Sequence, residues 1–224
     1  MSKQLSFDLP VKPALEREDF FVSSANAMAV ALIDAWPNWT SGKLLITGPS
    51  GCGKTHLCHC WAKQSAAQII HAKDLTKDMV EHLAAHSVAV EGLDQIAGDK
   101  EVETALFHLH NLTLANGNTI LFTGQGEAAH WPITLPDLKS RLMGTTSAQM
   151  QEPDDDLLST VLVKLFADRQ LFPAPEVITY ILRRIDRSFS VAYATVDRID
   201  KAALDEKRPI TRSFVRTLFE DNSE

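Results

Sequence analysis

Apolar positions recur at helical spacing in the stretch NAMAVALIDAW, which begins at Asn26 and is stopped by Pro37. Residues 43–47 (KLLIT), bounded by Gly42 and Gly48, read instead as a buried strand, and a helix follows over about 54–66. Three more short apolar runs, at 68–72, 87–91 and 119–123, predict further buried strands, and 147–151 a fifth. Between 102 and 115, Val102, Leu106, Leu109 and Leu112 fall on one approximate helical face. Strands alternating with helices predict an α/β fold whose five-stranded parallel sheet is covered on both faces.

After Pro153 the pattern is helical throughout. Asp154, Asp155 and Asp156 stand where they can cap a helix reaching about residue 169, and Pro175 suits the first turn of a second, to about 186. A third helix covers about 189–204, and Thr211 caps a fourth that ends near Glu220. The expected organisation is an arm at 1–11, an α/β core at 12–152 and a small α-helical unit at 153–224. In the arm, Leu5, Phe7 and Leu9 alternate, with Gln4 ahead of them. That spacing suits an extended segment, either packed as a strand on its own core or inserted into a pocket of a partner.

Charge and cysteine usage narrow the classes. The 224 residues carry 22 Lys+Arg against 29 Asp+Glu, a formal net charge of −7. Residues 1–150 hold 11 basic and 15 acidic side chains and the remainder 11 and 14, so neither half offers the excess of cations that strong direct DNA binding uses. Three cysteines and the absence of an apolar leader point to a reducing cytoplasm, and no run is long enough to span a bilayer.

The strongest local signal is Gly48, Pro49, Ser50, Gly51, Cys52, Gly53, Lys54 and Thr55, a complete GxxxxGK[ST] pattern between a strand and a helix. Glycines let backbone amides turn inward around anionic oxygens, and the following helix adds its positive end. Lys54 is expected on the β- and γ-phosphates and the Thr55 hydroxyl on Mg²⁺. The expected ligand is therefore a nucleoside phosphate.

Hydrolysis is a separate question. A carboxylate at the end of a neighbouring strand organises the metal, and Glu91 stands there, where Asp is usual. Gly92 occupies the place of the second acid and cannot orient a water. Asp94 is a possible substitute, two residues further on. The expectation is nucleotide binding with weak or absent intrinsic turnover. Thr123, at the end of its strand, is placed either to sense the γ-phosphate or simply to finish the strand. Arg141, taken alone, reads as a solvated surface residue. Cys52, His56, Cys58, His59 and Cys60 lack a second ligand pair at zinc-like spacing, and His108 and His110, on different faces of their helix, are assigned no role.

Together these residues resemble the AAA+ ATPases, and within them the DnaA-like replication initiators, more closely the short regulators of the Hda type. Four segments carry the resemblance: DFFVSSAN at 19–26, similar to the adenine-pocket segment, the phosphate loop, VEGLDQIAGD at 90–99, similar to the Walker B stretch, and LPDLKSRL at 135–142, similar to the arginine-finger segment. The resemblance implies an AAA+ P-loop core with an α-helical lid. It implies nucleotide contacts from Phe20, Val22, Asn26, His56, Thr123 and Ser190 beside the loop itself, and Mg²⁺ on Thr55 and Glu91. It also implies that Arg141 is an arginine finger acting on a partner's nucleotide. Gln4–Leu9 is similar to the hexapeptide that binds the sliding clamp (β subunit) of DNA polymerase III, with Gln4, Leu5, Phe7 and Leu9 as contacts.

The implied role is negative regulation of chromosome replication: tethering to the clamp and stimulating hydrolysis of ATP held by the initiator DnaA. Two other roles are compatible with the residues, an intrinsic ATPase that remodels or loads a partner and a nucleotide-stabilised adaptor. AAA+ modules pair through the nucleotide face, so a homodimer is among the arrangements implied. The pattern departs from the family at three places. Ser23 stands where glycine is usual. Ser190 stands where a lid arginine contacts the nucleotide, with Arg187 three residues earlier. No helix-turn-helix unit follows the lid, so direct reading of origin DNA is not expected.

Overall fold

In the computed structural model, which describes residues 20–220, the five apolar runs form β1 (Lys43–Thr47), β2 (Gln68–His71), β3 (Val88–Glu91), β4 (Ile120–Gly124) and β5 (Ser147–Gln149). They make one sheet in the order β2-β3-β4-β1-β5, with every neighbouring pair parallel. Every residue of β1, β3 and β4 is buried, which is why these strands read as continuous apolar runs rather than alternating ones.

Period two decides which side chain meets which layer. Leu45, Val88, Val90, Ile120 and Phe122 face a core built with α3 (Val80–Ala84), α4 (Lys100–Ala115) and α5 (Pro136–Met143). Leu44, Ile46, Ala89 and Leu121 face the opposite core, closed by α1 (Ala27–Asp34) and α2 (Lys54–Ser65). A third core belongs to the helical unit of α6 (Asp155–Ala167), α7 (Pro175–Leu182), α8 (Phe189–Glu206) and α9 (Arg212–Glu220), and it shares no residue with the other two. Asp154 caps α6 by accepting from the Leu157 amide at 2.7 Å, and Thr211 Oγ1 accepts from Phe214 at 3.3 Å at the start of α9. No helix among the described residues is long and apolar enough to cross a membrane.

Several expectations shift. α7 stops at Leu182, four residues short of the expected 186. The short α3 and the Pro136-initiated α5 were not expected as helices. α4 starts at Lys100, because Asp99 accepts from the amides of Glu101 and Val102 at 3.1 and 3.2 Å. Its inward face is also rotated. Leu106 and Leu109 are buried as expected, but Glu103, His110 and Thr113 are buried with them, whereas Val102 and Leu112 only flank the core.

His110 therefore has a structural part to play. Its Nδ1 lies 3.0 Å from Asn111 Oδ1 and its ring stacks on Phe122, while Nε2 is buried with no hydrogen-bond partner among the described residues. Burial, opposed by the Asn111 contact and reinforced by the charges of Lys43 and Arg141, holds its pKa below the ordinary 6.5. A group whose folded pKa is depressed in this way binds protons more readily when unfolded. Stability is therefore expected to be complete above pH 6.5 and to fall as pH drops below it. Urea midpoints at about pH 7.5 and 5.5 should fall more steeply in the wild type than in His110→Leu. An equal fall in both would assign the pH dependence to other groups.

Candidate functional site

The sheet register gathers the polar ends of three strands. Ile46 pairs with Thr123, Val90 with Phe122 and His71 with Glu91, so Glu91, Thr123 and the loop after Thr47 meet at the carboxyl edge of the sheet. Open parallel sheets place their ligand crevices at this edge. Here it holds a cleft of about 320 Å³ lined by the phosphate loop, the ends of β3 and β4 and the first residues of α8.

The loop wraps the N-terminus of α2. Gly51 has a φ of 71°, in the left-handed region, and a Cβ there would overlap the Ser188 hydroxyl of the helical unit. Lys54 Nζ lies 2.8 Å from the Gly48 carbonyl oxygen and 2.6 Å from that of Pro49, donating to both, so its ammonium sits over the loop. Ser50, Gly51, Gly53, Lys54 and Thr55 line the cleft. Cys52 is buried beneath the loop, with Sγ 3.7 Å from Lys54 Nζ, and its thiol pKa is raised by burial against the opposing pull of Lys54. The turned glycine backbone, the lysine over it and the helix end form a cradle that fits a polyphosphate.

Beside the cradle, Thr55 and the buried Glu91 offer a hydroxyl and a carboxylate in the same cleft, a hard-oxygen pair that suits Mg²⁺ sharing its shell with phosphate and water. Among the described residues no group of three or more His, Cys, Asp or Glu is placed to hold a metal unaided. One partner of Glu91 was not foreseen. Burial pushes the Cys58 thiol well above its ordinary range, and the Glu91 carboxylate, to which the thiol hydrogen-bonds, adds to the effect. Thr123 is buried and lines the cleft, and His71 joins it from the end of β2. Asp94 also reaches the cleft, but its Oδ1 accepts from the Gln125 amide at 2.8 Å, so it anchors the loop after β4.

The expected adenine segment lies on the far side of Gly53. Phe20 is buried and meets His56 edge to face at 5.1 Å. A Cβ on Gly53 would stand 3.4 Å from the Phe20 ring and 3.3 Å from that of Phe189, so two aromatic rings flank this glycine. Phe189 was missed in the sequence because it opens α8 as one more core aromatic. Asn26 is buried, but its side chain accepts from the Ser23 amide and donates to the Phe21 carbonyl, each at 3.0 Å, so it shapes the segment. Val22 is half-exposed.

The helical unit closes on the loop through the first turn of α8. The Phe189 amide donates to the Gly51 carbonyl at 2.8 Å, and the Ser188 and Ser190 hydroxyls, 2.8 Å apart, lie against Gly51. Ser190 thus reaches the cleft as an uncharged group. Arg187 pairs with Asp155 at 3.1 Å, and both side chains are exposed.

Arg141 sits elsewhere. It is exposed on the last turn of α5, and its guanidinium has no hydrogen-bond or ion-pair partner among the described residues. Its backbone carbonyl is fixed by Lys43 Nζ at 3.0 Å and Thr145 Oγ1 at 2.8 Å. Burial, with the Arg141 charge beside it, lowers the Lys43 pKa. Lys43 opens β1 whereas the phosphate loop follows its end, about 13 Å away along the strand. The segment leading into α5 is held by Glu103, whose carboxylate accepts from Gly98 N at 2.8 Å, Thr134 Oγ1 at 2.7 Å, Leu135 N at 2.7 Å and Thr134 N at 3.0 Å. Gln4, Leu5, Phe7 and Leu9 lie outside the described residues.

Residues 155–219 match the protein-family model for the Hda lid domain. The fold is similar to domain III of the replication initiation protein DnaA from Thermotoga maritima, with a TM-score of 0.82, 18% identity and coverage of 95% of this chain and 98% of that one. AMPPCP-bound DnaA from Aquifex aeolicus gives 0.69 and 18% over 82% of this chain and 64% of that one. The Thermotoga maritima RuvB Holliday junction branch migration motor gives 0.66 and 15% over 80% and 61%.

Proposed function

From a DnaA-like AAA+ fold closed by an Hda-type lid, we propose that this protein is a cytoplasmic, nucleotide-dependent negative regulator of replication initiation. ADP or ATP binds in the cleft, with its phosphates on the loop and its base toward Phe20, His56 and Phe189. Mg²⁺, held by Thr55 and Glu91, neutralises phosphate charge when bound. The AMPPCP bound to the similar DnaA supports a nucleotide as the ligand.

The observation that carries the regulatory reading is the placement of Arg141. A guanidinium with no partner among the described residues, at the end of β1 remote from its own phosphate loop and on a helix whose backbone is fixed, is suited to a phosphate held by another molecule. Presented to ATP on the initiator, it stabilises charge that develops on the transferring phosphoryl group. Gln4, Leu5, Phe7 and Leu9 tether the protein to the sliding clamp of DNA polymerase III, which raises its effective concentration near the initiator. A homodimer through the nucleotide face is compatible with this role, because it covers Arg141 until the initiator takes its place.

The test follows radiolabelled ATP pre-bound to the initiator DnaA. Decay is expected to accelerate only when the protein and DNA-loaded clamp are both present, and Gln4→Ala should reduce the acceleration by about tenfold at limiting protein, in step with weaker clamp binding. Decay unaffected by the protein, with clamp and nucleotide binding both verified, removes the regulatory reading.

A further inference from the structure

The nucleotide cleft contains a side chain placed for a task that its Walker B sequence omits. Gly92 stands where a second acid would hold the attacking water, and its φ of 75° and ψ of 41° put it in the left-handed region. A side chain there carries strain that glycine avoids, so this backbone disfavours an acid at the position. Directly after it the chain turns tightly through residues 93–95, and the Gln95 amide donates back to the Gly92 carbonyl at 3.0 Å. This reversal folds the Gln95 side chain over the glycine. A Cβ on Gly92 would lie 3.1 Å from Gln95 Nε2 and 3.6 Å from Oε1, so the carboxamide fills the volume into which an acid at position 92 would begin to grow. Gln95 lines the same cleft as Lys54, Thr55, Glu91 and Thr123.

We propose that Gln95 orients the attacking water for a slow hydrolysis of ATP in this protein's own site, in place of the missing acid. A carboxamide offers an acceptor and a donor, which can align a water beside a γ-phosphate, but it cannot take up a proton at neutral pH. The water oxygen bonds to the γ-phosphorus as the bond from that phosphorus to the β–γ bridging oxygen breaks. A water proton passes to a γ-phosphate oxygen, and ADP leaves with its charge facing Lys54. Orientation without a general base gives turnover that is slow but real, as in nucleotide-binding switch proteins that use glutamine for this purpose. Asp94 is less suited, because its Oδ1 is committed to the Gln125 amide. The inference rests on the nucleotide-site reading above and adds a self-limiting lifetime for the ATP-bound form.

Single-turnover hydrolysis of γ-labelled ATP by the full chain with Mg²⁺, without initiator or clamp, tests it. Gln95→Ala is expected to lose about tenfold or more of the rate. Affinity for ADP in the same samples should stay within about twofold. A second readout needs no turnover: aluminium fluoride should tighten ADP binding by the wild type, and Gln95→Ala should lose most of that gain. An unchanged rate in Gln95→Ala, or an equal loss of ADP affinity, overturns the proposal. A wild type that binds ADP but neither hydrolyses ATP nor responds to aluminium fluoride also overturns it. A wild type that binds neither nucleotide refutes the nucleotide site itself, a distinct result.

Discussion

Initiator-bound ATP is expected to decay at the initiator's own rate when Arg141→Ala protein replaces the wild type, a loss on the order of 10³-fold in stimulated turnover. The size follows from where the charge acts. A guanidinium meeting a phosphoryl group in a water-poor interface stabilises charge that forms only in the transition state, so its removal lowers the rate more than the binding. The substitution should leave the fold alone, within about 0.5 kcal/mol, because the side chain is exposed and only the backbone carbonyl is engaged by Lys43 and Thr145. Arg141→Lys keeps the charge but loses the planar fork, and is expected to recover only part of the rate. The measurement pairs the decay assay with clamp binding and a melt. Full stimulation by Arg141→Ala removes the arginine-finger assignment.

Glu103→Leu is expected to be the most damaging of the core substitutions, at about 2–4 kcal/mol, from the loss of several hydrogen bonds to a charged acceptor. The carboxylate is fully buried, yet its pKa is held below the ordinary 4.5. Burial alone would raise it, but donors from Thr134, Gly98 and Leu135 outweigh that cost. Leucine deprives these donors of their charged acceptor, and a hydrogen bond to a charged group is worth about 1.5–3 kcal/mol. Glu103→Gln keeps one acceptor and turns an NH₂ group toward donors, so an intermediate loss is expected. Because the folded pKa is depressed, this contribution is complete above pH 4.5 and is lost as pH falls through the folded value. Urea denaturation near neutral pH measures the difference. A loss under about 1 kcal/mol in Glu103→Leu would show that the 133–135 segment is held by other contacts.

Placement that is local in sequence was legible in advance. The phosphate loop, Glu91 and Thr123 reach one cleft because each follows or ends a strand, and strands β1, β3 and β4 were marked by unbroken apolar runs. What escaped depended on contacts across the fold. Glu103 belongs to the polar pattern of α4, and nothing nearby says that, besides Gly98, its partners lie 31 and 32 residues away. Lys43 reads as the first residue of a strand until Arg141 is brought beneath it, 98 residues on. α3, with five residues, is too short for periodicity to register. α5 did carry a usable signal, Pro136 in its first turn, within a segment noticed only for its arginine. Gln95 was masked by its neighbours, since a glutamine's role here depends on the turn that lays it over Gly92.

The bond from the Phe189 amide to the Gly51 carbonyl has a consequence for how the molecule comes apart. The sheet-bearing unit and the helical unit keep separate cores, and they meet at the phosphate loop through the Phe189 amide and ring and the Ser188 and Ser190 hydroxyls. Free energy released by a ligand that touches both sides at this seam is therefore also cohesion between them. The cooperativity of unfolding is then expected to depend on ligand concentration: weakly coupled melting when nucleotide is scarce, and a single concerted transition when it is abundant.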